Sequence, residues 1–185
     1  MSANFVSVVD LFSIGIGPSS SHTVGPMRAS IALIDKLDTY PAKVTVELRG
    51  SLAATGVGHG TDRAALLGLV GYTPTTTSAD IAPKPGEPIP ATGTISGPAG
   101  TVEYELRFDP APVAAHPNCI IFDAWDENGG VLAEREDFYS VGGGFVVTET
   151  EPATRSTASA DAGGSFHSAA ELLALADRDG LSVSQ

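Results

Sequence analysis

The sequence predicts an α+β domain in which helices pack on a mixed β-sheet. One observation is the order of periodic segments: helix, strand, helix, then an unbroken run of strands. A second is the pair of reversals Gly97-Pro98-Ala99-Gly100 and Asn128-Gly129-Gly130, each set between strand-like segments as hairpin turns are. The third is composition. Over 185 residues the hydrophobic fraction is 42% but aromatics are only 6%, so Val, Ile, Leu and Ala must fill the core.

Taken in order, residues 4–14 are rich in Val, Phe and Ile and read as a short helix or strand leading into a serine-rich loop. After that loop Met27, Ile31, Ile34 and Leu37 recur at helical spacing, which predicts a helix from about His22 to Leu37. One of Ser20, Ser21 or Thr23 is the expected N-cap, and Pro26 is tolerated in the first turn. Val44, Val46 and Leu48 alternate with Thr45, Glu47 and Arg49, the pattern of a strand with one buried face. The stretch from Gly50 to Gly60 reads as a glycine-rich turn into a second helix over about Thr61–Val70, stopped by Gly71. Residues 73–90, dense in Pro and Thr, form a loop.

Strands follow over Thr92–Ser96, Thr101–Phe108, Cys119–Trp125 and Val131–Tyr139, and Gly142-Gly143-Gly144 breaks the last before Phe145-Val146-Val147. Residues 149–165 lack any apolar period and read as a flexible linker. Ser168 through Ala176 is helical, with Leu172, Leu173 and Leu175 apolar. The domain boundaries implied are 1–148 for the main domain, 149–166 for the linker and 167–185 for the terminal helix.

The charge narrows the partners. With 22 Asp+Glu against 10 Lys+Arg the formal net charge is -12. Nucleic acids and anionic membranes need clustered cations, so neither is expected as a partner. No apolar run approaches the roughly 20 residues of a membrane helix, and Asp10 interrupts the apolar N-terminal stretch, which no Lys or Arg precedes. The one cysteine, Cys119, suits a reducing cytoplasm and reads as a buried structural thiol.

Chemistry concentrates in Gly17-Pro18-Ser19-Ser20-Ser21-His22-Thr23-Val24-Gly25-Pro26, where four hydroxyls surround one imidazole at a helix start. Such an imidazole titrates near neutrality and accepts a proton if its tautomer is held. The free backbone N–H groups of a helix N-terminus favour an anion such as a carboxylate. The competing reading is a capping His that only packs beneath the loop. Gly58-His59-Gly60-Thr61-Asp62 is either a close-approach loop beside a ligand or a plain strand-to-helix turn. Its glycine spacing does not match a dinucleotide fingerprint. His116-Pro117-Asn118 is a surface turn or a binding turn. No Gly-x-Ser-x-Gly elbow supports a serine hydrolase, and the four histidines have no zinc-site spacing.

These segments, together with Ser140-Val141-Gly142-Gly143-Gly144-Phe145, occur in the order seen in the β region of bacterial iron–sulfur-dependent L-serine dehydratases, and the chain resembles that family over nearly its whole length. The resemblance implies elimination of water from L-serine to give pyruvate and ammonia, without pyridoxal phosphate. It implies His22 as the catalytic base. Ser19, Ser20, Ser21 and Thr23 would hold the substrate carboxylate or the ring, and His59, Thr61, Asp62 and Asn118 would complete the pocket or brace its loops. It also implies a fold similar to the allosteric substrate-binding domain of some phosphoglycerate dehydrogenases, and a homodimer. The family's [4Fe-4S] cluster sits on cysteines of a catalytic α region. One cysteine cannot replace them, so this chain is expected to bind no metal and to be inactive without its α partner, toward which residues 167–185 lead.

Overall fold

The computed structural model describes residues 14–148, 168–180 and 182. Residues 14–148 belong to one compact unit and residues 168–182 to another. The first unit holds one wide helical turn, three α-helices and a sheet. The turn spans Ser20–Val24 and runs into α1 (Gly25–Lys36); β1 (Lys43–Gly50), α2 (Ser51–His59) and α3 (Thr61–Leu69) follow. The strands β2 (Thr92–Gly97), β3 (Gly100–Asp109), β4 (Asn118–Trp125), β5 (Val131–Gly142) and β6 (Phe145–Val147) complete it. The second unit contains α4 (Ala169–Asp179), capped by the Ser168 hydroxyl on the Glu171 N–H at 3.2 Å and closed by left-handed Gly180.

The six strands form one mixed sheet in the order β2-β3-β1-β4-β5-β6. β1 and β3 run parallel and every other neighbour is antiparallel. A parallel pair needs a long crossover, and α2, α3 and the Pro/Thr-rich loop supply it. The alternation read in β1 is obeyed: Val44, Val46 and Leu48 are buried in one cluster with Leu106 of β3, Ile120 and Phe122 of β4, and Leu33 of α1. Phe122 meets Phe138 edge-on at 5.6 Å and is fully buried. Removing such a ring costs about 3–5 kcal/mol. The sheet's other face carries a small cluster of Cys119, Ile121 and Tyr139 beside charged pairs, in which Arg49 reaches Glu47 at 2.8 Å and Asp109 at 2.7 Å.

Two local readings are corrected. Residues 51–59 are a helix, not a turn. Gly56 and Gly58 each disfavour a helix by about 1 kcal/mol, but Leu52 is fully buried and drives the segment onto the sheet. Gly56 is buried too, and a methyl there would stand 3.6 Å from Leu48 and Phe108. Packing therefore overrides propensity. The other correction concerns the first helix, whose cap is Ser19 rather than Ser20, Ser21 or Thr23. The helical segment starts with one turn of π-helix, two residues earlier than the apolar period indicates, because Ser19 has extended backbone and its hydroxyl accepts the His22 N–H at 3.1 Å. Pro26 stands in the first turn of α1 as read. Strand β5 also runs past Tyr139 to Gly142, which places Ser140 inside the sheet. The readings for residues 4–13 and for the linker at 149–166 fall outside the described residues.

Candidate functional site

Backbone geometry sets the site. At the end of β1 Gly50 adopts φ 58°, and a side chain there would stand 2.3 Å from the Pro117 carbonyl oxygen. The chain turns sharply at this point and Ser51 starts α2, its N–H donating to Pro117 O at 2.8 Å. Left-handed Gly60 then ends α2 and opens α3. The π-turn packs against the starts of α2 and α3 and against β5.

His22 is at the centre. Its Nδ1 lies 2.9 Å from Ser21 Oγ and its Nε2 lies 3.0 Å from Ser51 Oγ. The ring of His59 stacks beside it at 4.9 Å between centroids, tilted by 38°. His59 Nδ1 is 3.0 Å from the Thr55 carbonyl and must donate to it, so the lone pair of a neutral His59 ring is on Nε2. Burial of His22, reinforced by the neighbouring His59, holds its imidazolium below the ordinary value of 6.5. The ring is therefore neutral at pH 7 and carries a basic lone pair.

Side-chain donors lace the segments together through main-chain carbonyls. Thr61 donates to His22 O. Thr23 donates to His59 O at 2.9 Å, and its Oγ1 also accepts the Ser19 N–H at 3.3 Å. Ser140 donates to Ser21 O at 2.8 Å, and Asn118 Nδ2 donates to Ser140 O at 3.3 Å. Arg28 donates to Gly144 O at 2.9 Å, tying α1 to the triple-glycine turn.

The structure thus gathers Ser19, Ser21, His22, Thr23, His59 and Thr61 directly and joins Asn118 through Ser140. Ser20 is exposed beside them. Asp62 is buried, and its carboxylate accepts the N–H of Arg63 at 2.8 Å. Burial raises its pKa above 3.8, opposed by backbone N–H donors that include Ile89. It braces the start of α3 and the loop that crosses it. The resemblance gave Thr23 to the substrate carboxylate or the ring, and Thr61 and Asn118 to the pocket or its supports; in the structure the side chains of all three donate to backbone carbonyls.

Ser51 and Ser140 were given no site role from sequence, although Ser140 heads one of the motifs that carry the resemblance. Ser51 had one available signal, its place directly after a strand and a glycine. Ser140 had its place just ahead of the glycine triplet.

An iron–sulfur cluster needs several thiolates. The chain's one cysteine, Cys119, is buried on the far face of the sheet, and burial pushes its thiol up to about 12. Among the described residues no group of three or more His, Cys, Asp or Glu side chains is placed to hold a metal ion. The donors of this chain do not fit such a cluster. No helix among them is long and apolar enough to cross a membrane.

A family profile described as serine dehydratase beta chain matches residues 7–151. The L-serine dehydratase of Mycobacterium tuberculosis is 44% identical over 97% of this chain and 41% of its own length. That of Streptomyces coelicolor is 42% identical over 97% and 42%. L-serine dehydratase TdcG of Escherichia coli is 38% identical over 97% and 41%. The chain spans about two fifths of the length of these curated relatives. It belongs to the serine dehydratase beta chain family.

Proposed function

We propose that this chain supplies the proton-accepting part of an L-serine dehydratase, which converts L-serine to pyruvate and ammonia. The observation that carries the reading is the neutral, half-buried His22, bracketed by two hydroxyls at 2.9 and 3.0 Å in a chain of this family. In this reading a ring nitrogen of His22 takes the proton from Cα. The electron pair left behind forms the Cα–Cβ double bond as the β-hydroxyl departs, which completes the loss of water. The resulting aminoacrylate becomes an imine, and water then releases ammonia and pyruvate. Ser19, Ser20 and Ser21 form a hydroxyl-rich rim for the substrate carboxylate. Thr23, His59, Thr61, Asp62 and Asn118 keep the segments in register around the ring.

A [4Fe-4S] cluster that polarises the leaving hydroxyl belongs, in this proposal, to cysteines of a catalytic α region, and pyridoxal phosphate has no part. The mixed sheet with helices on its apolar face supports likeness to the allosteric substrate-binding domain of phosphoglycerate dehydrogenases. A homodimer, a cytoplasmic setting and the division at 148 and 166 belong to the same proposal.

The test is pyruvate release from L-serine by the chain joined to its α region, handled without oxygen, with and without His22→Ala. The expected loss is about 10²–10⁴-fold, the usual worth of a positioned general base. Full turnover in the variant refutes the assignment. A variant that alters only cooperativity toward serine assigns the site to sensing.

A further inference from the structure

We infer that Ser51 is the positioning residue for the base: it holds His22 Nε2 and leaves Nδ1 as the nitrogen that takes the proton. As a statement about catalysis this rests on the reading above. The two hydroxyls that bracket the ring are not equivalent. Ser21 is the chain neighbour of His22, so its bond to Nδ1 moves with the π-turn and cannot orient the ring against the rest of the protein. Ser51 lies 29 residues away on a different helix, and its backbone is clamped. Its N–H is bound to Pro117 O at 2.8 Å, and its carbonyl accepts the Thr55 hydroxyl at 2.9 Å. At Gly50, just before it, the chain runs so close to the Pro117 carbonyl that no side chain fits between them. A bond between two anchored segments fixes the ring; a bond between neighbours does not.

The assignment of nitrogens follows. The ligand-facing nitrogen must exchange its partner for substrate. Ser21 and Ser51 are equally half-buried, and the bond to exchange is the one to the chain neighbour Ser21, which stands beside exposed Ser20, because the bond to clamped Ser51 is the one that fixes the ring. Nδ1 then carries the lone pair, Ser21 donates to it in the free protein, and the Nε2 proton is donated to Ser51 Oγ. The ring and both hydroxyls then each have a hydrogen-bond partner, and when Nδ1 is protonated the Nε2–H bond to Ser51 is retained.

The experiment uses nitrogen-15 NMR of the histidine rings in the 185-residue chain, with His22 signals identified by their loss in His22→Gln. The wild type is expected to show a protonated Nε2 and a bare Nδ1 at His22 above its titration. Ser51→Ala is expected to mix the two tautomers while the His116 signals and methyl dispersion stay native, and Ser51→Thr to keep the wild-type pattern. In the enzyme joined to its α region, Ser51→Ala should lower kcat about tenfold with KM little changed, the loss of one orienting hydrogen bond. A proton on Nδ1 in the wild type, or an unchanged tautomer in Ser51→Ala, overturns the inference. A tautomer that behaves as expected in a protein whose joined form releases no pyruvate supports the inference about the ring and refutes the enzymatic reading.

Discussion

Gly25→Ala sets two physical effects of opposite sign against each other. Gly25 is the first residue of α1, and helix propensity alone predicts that Ala stabilises it by up to about 1 kcal/mol. The structure predicts the reverse. A methyl group at this position would stand 2.1 Å from Ser140 Oγ and 2.8 Å from Ser140 Cβ. The hydroxyl can rotate away, but the Cβ is fixed by the backbone of β5, so α1 and β5 must separate. Overpacking of this kind costs about 1–3 kcal/mol. Rotating the hydroxyl also gives up its bond to Ser21 O, worth about 0.5–1.5 kcal/mol. The net expectation is a destabilisation of about 1–3 kcal/mol after the propensity gain is subtracted. Urea unfolding of wild type, Gly25→Ala, Ser140→Gly and the double variant measures it. Ser140→Gly removes both close atoms, so Gly25→Ala should cost far less in that background, with a coupling of about 1–3 kcal/mol. A Gly25→Ala variant more stable than wild type, or additive single effects, refutes the packing described between the π-turn, α1 and β5.

Four further outcomes are expected. Asp62 is held above 3.8 by burial, so the native state binds more protons than the unfolded chain in the window above that value, and stability falls as pH rises through it. Relative to Asp62→Asn, wild-type stability from urea titrations should decline across this acid window and then level; a rising difference refutes the assignment. His22 behaves in the opposite sense. Its native value is lowered, so its contribution is full above 6.5 and is lost as pH falls, and His22→Gln should flatten that limb of the stability profile. Cys119, buried with its thiol pushed up to about 12, should resist alkylation at pH 8 in the native chain and react in urea; rapid native labelling would show the far face of the sheet to be open. Thr61→Val keeps the shape of a buried side chain but leaves the His22 carbonyl without its donor. It should cost about 1–3 kcal/mol by urea unfolding, and a neutral result would refute the lacing of α3 to the π-turn.

The strands were legible because period two depends only on neighbours in the chain. Val44, Val46 and Leu48 declare their face without reference to β3 or β4. The hairpins were legible because Gly97–Gly100 and Asn128–Gly130 carry turn chemistry in the residues themselves. Helix α2 was not, since the feature that makes it a helix is burial of Leu52 and Gly56 against the rest of the fold, which is not local. His22 stood out because one titratable ring among hydroxyls is unusual in any chain. Ser51 and Ser140 did not, because serines after glycine or before it are ordinary in turns. Their importance comes from fold partners 29 and 119 residues away.

That contrast bears on how the site is built. The hydroxyls of Thr61, Thr23 and Ser140 are spent on the carbonyls of His22, His59 and Ser21. A π-turn and a helix end leave such carbonyls without regular partners, and burying them unpaired is costly. Supplying the partners from neighbouring segments satisfies the backbone and fixes the relative position of both imidazoles in one stroke. The arrangement therefore exists before any ligand arrives, which is the condition for a base to be aimed rather than merely present. Within this frame the groups left to change partners are Nδ1 of His22, the Nε2 of His59 and the hydroxyls of Ser20 and Ser21, while Ser51 holds Nε2 of His22. Chemistry at this site must begin with them, because the other polar side chains of the cluster already hold the backbone or, in Ser51, the ring.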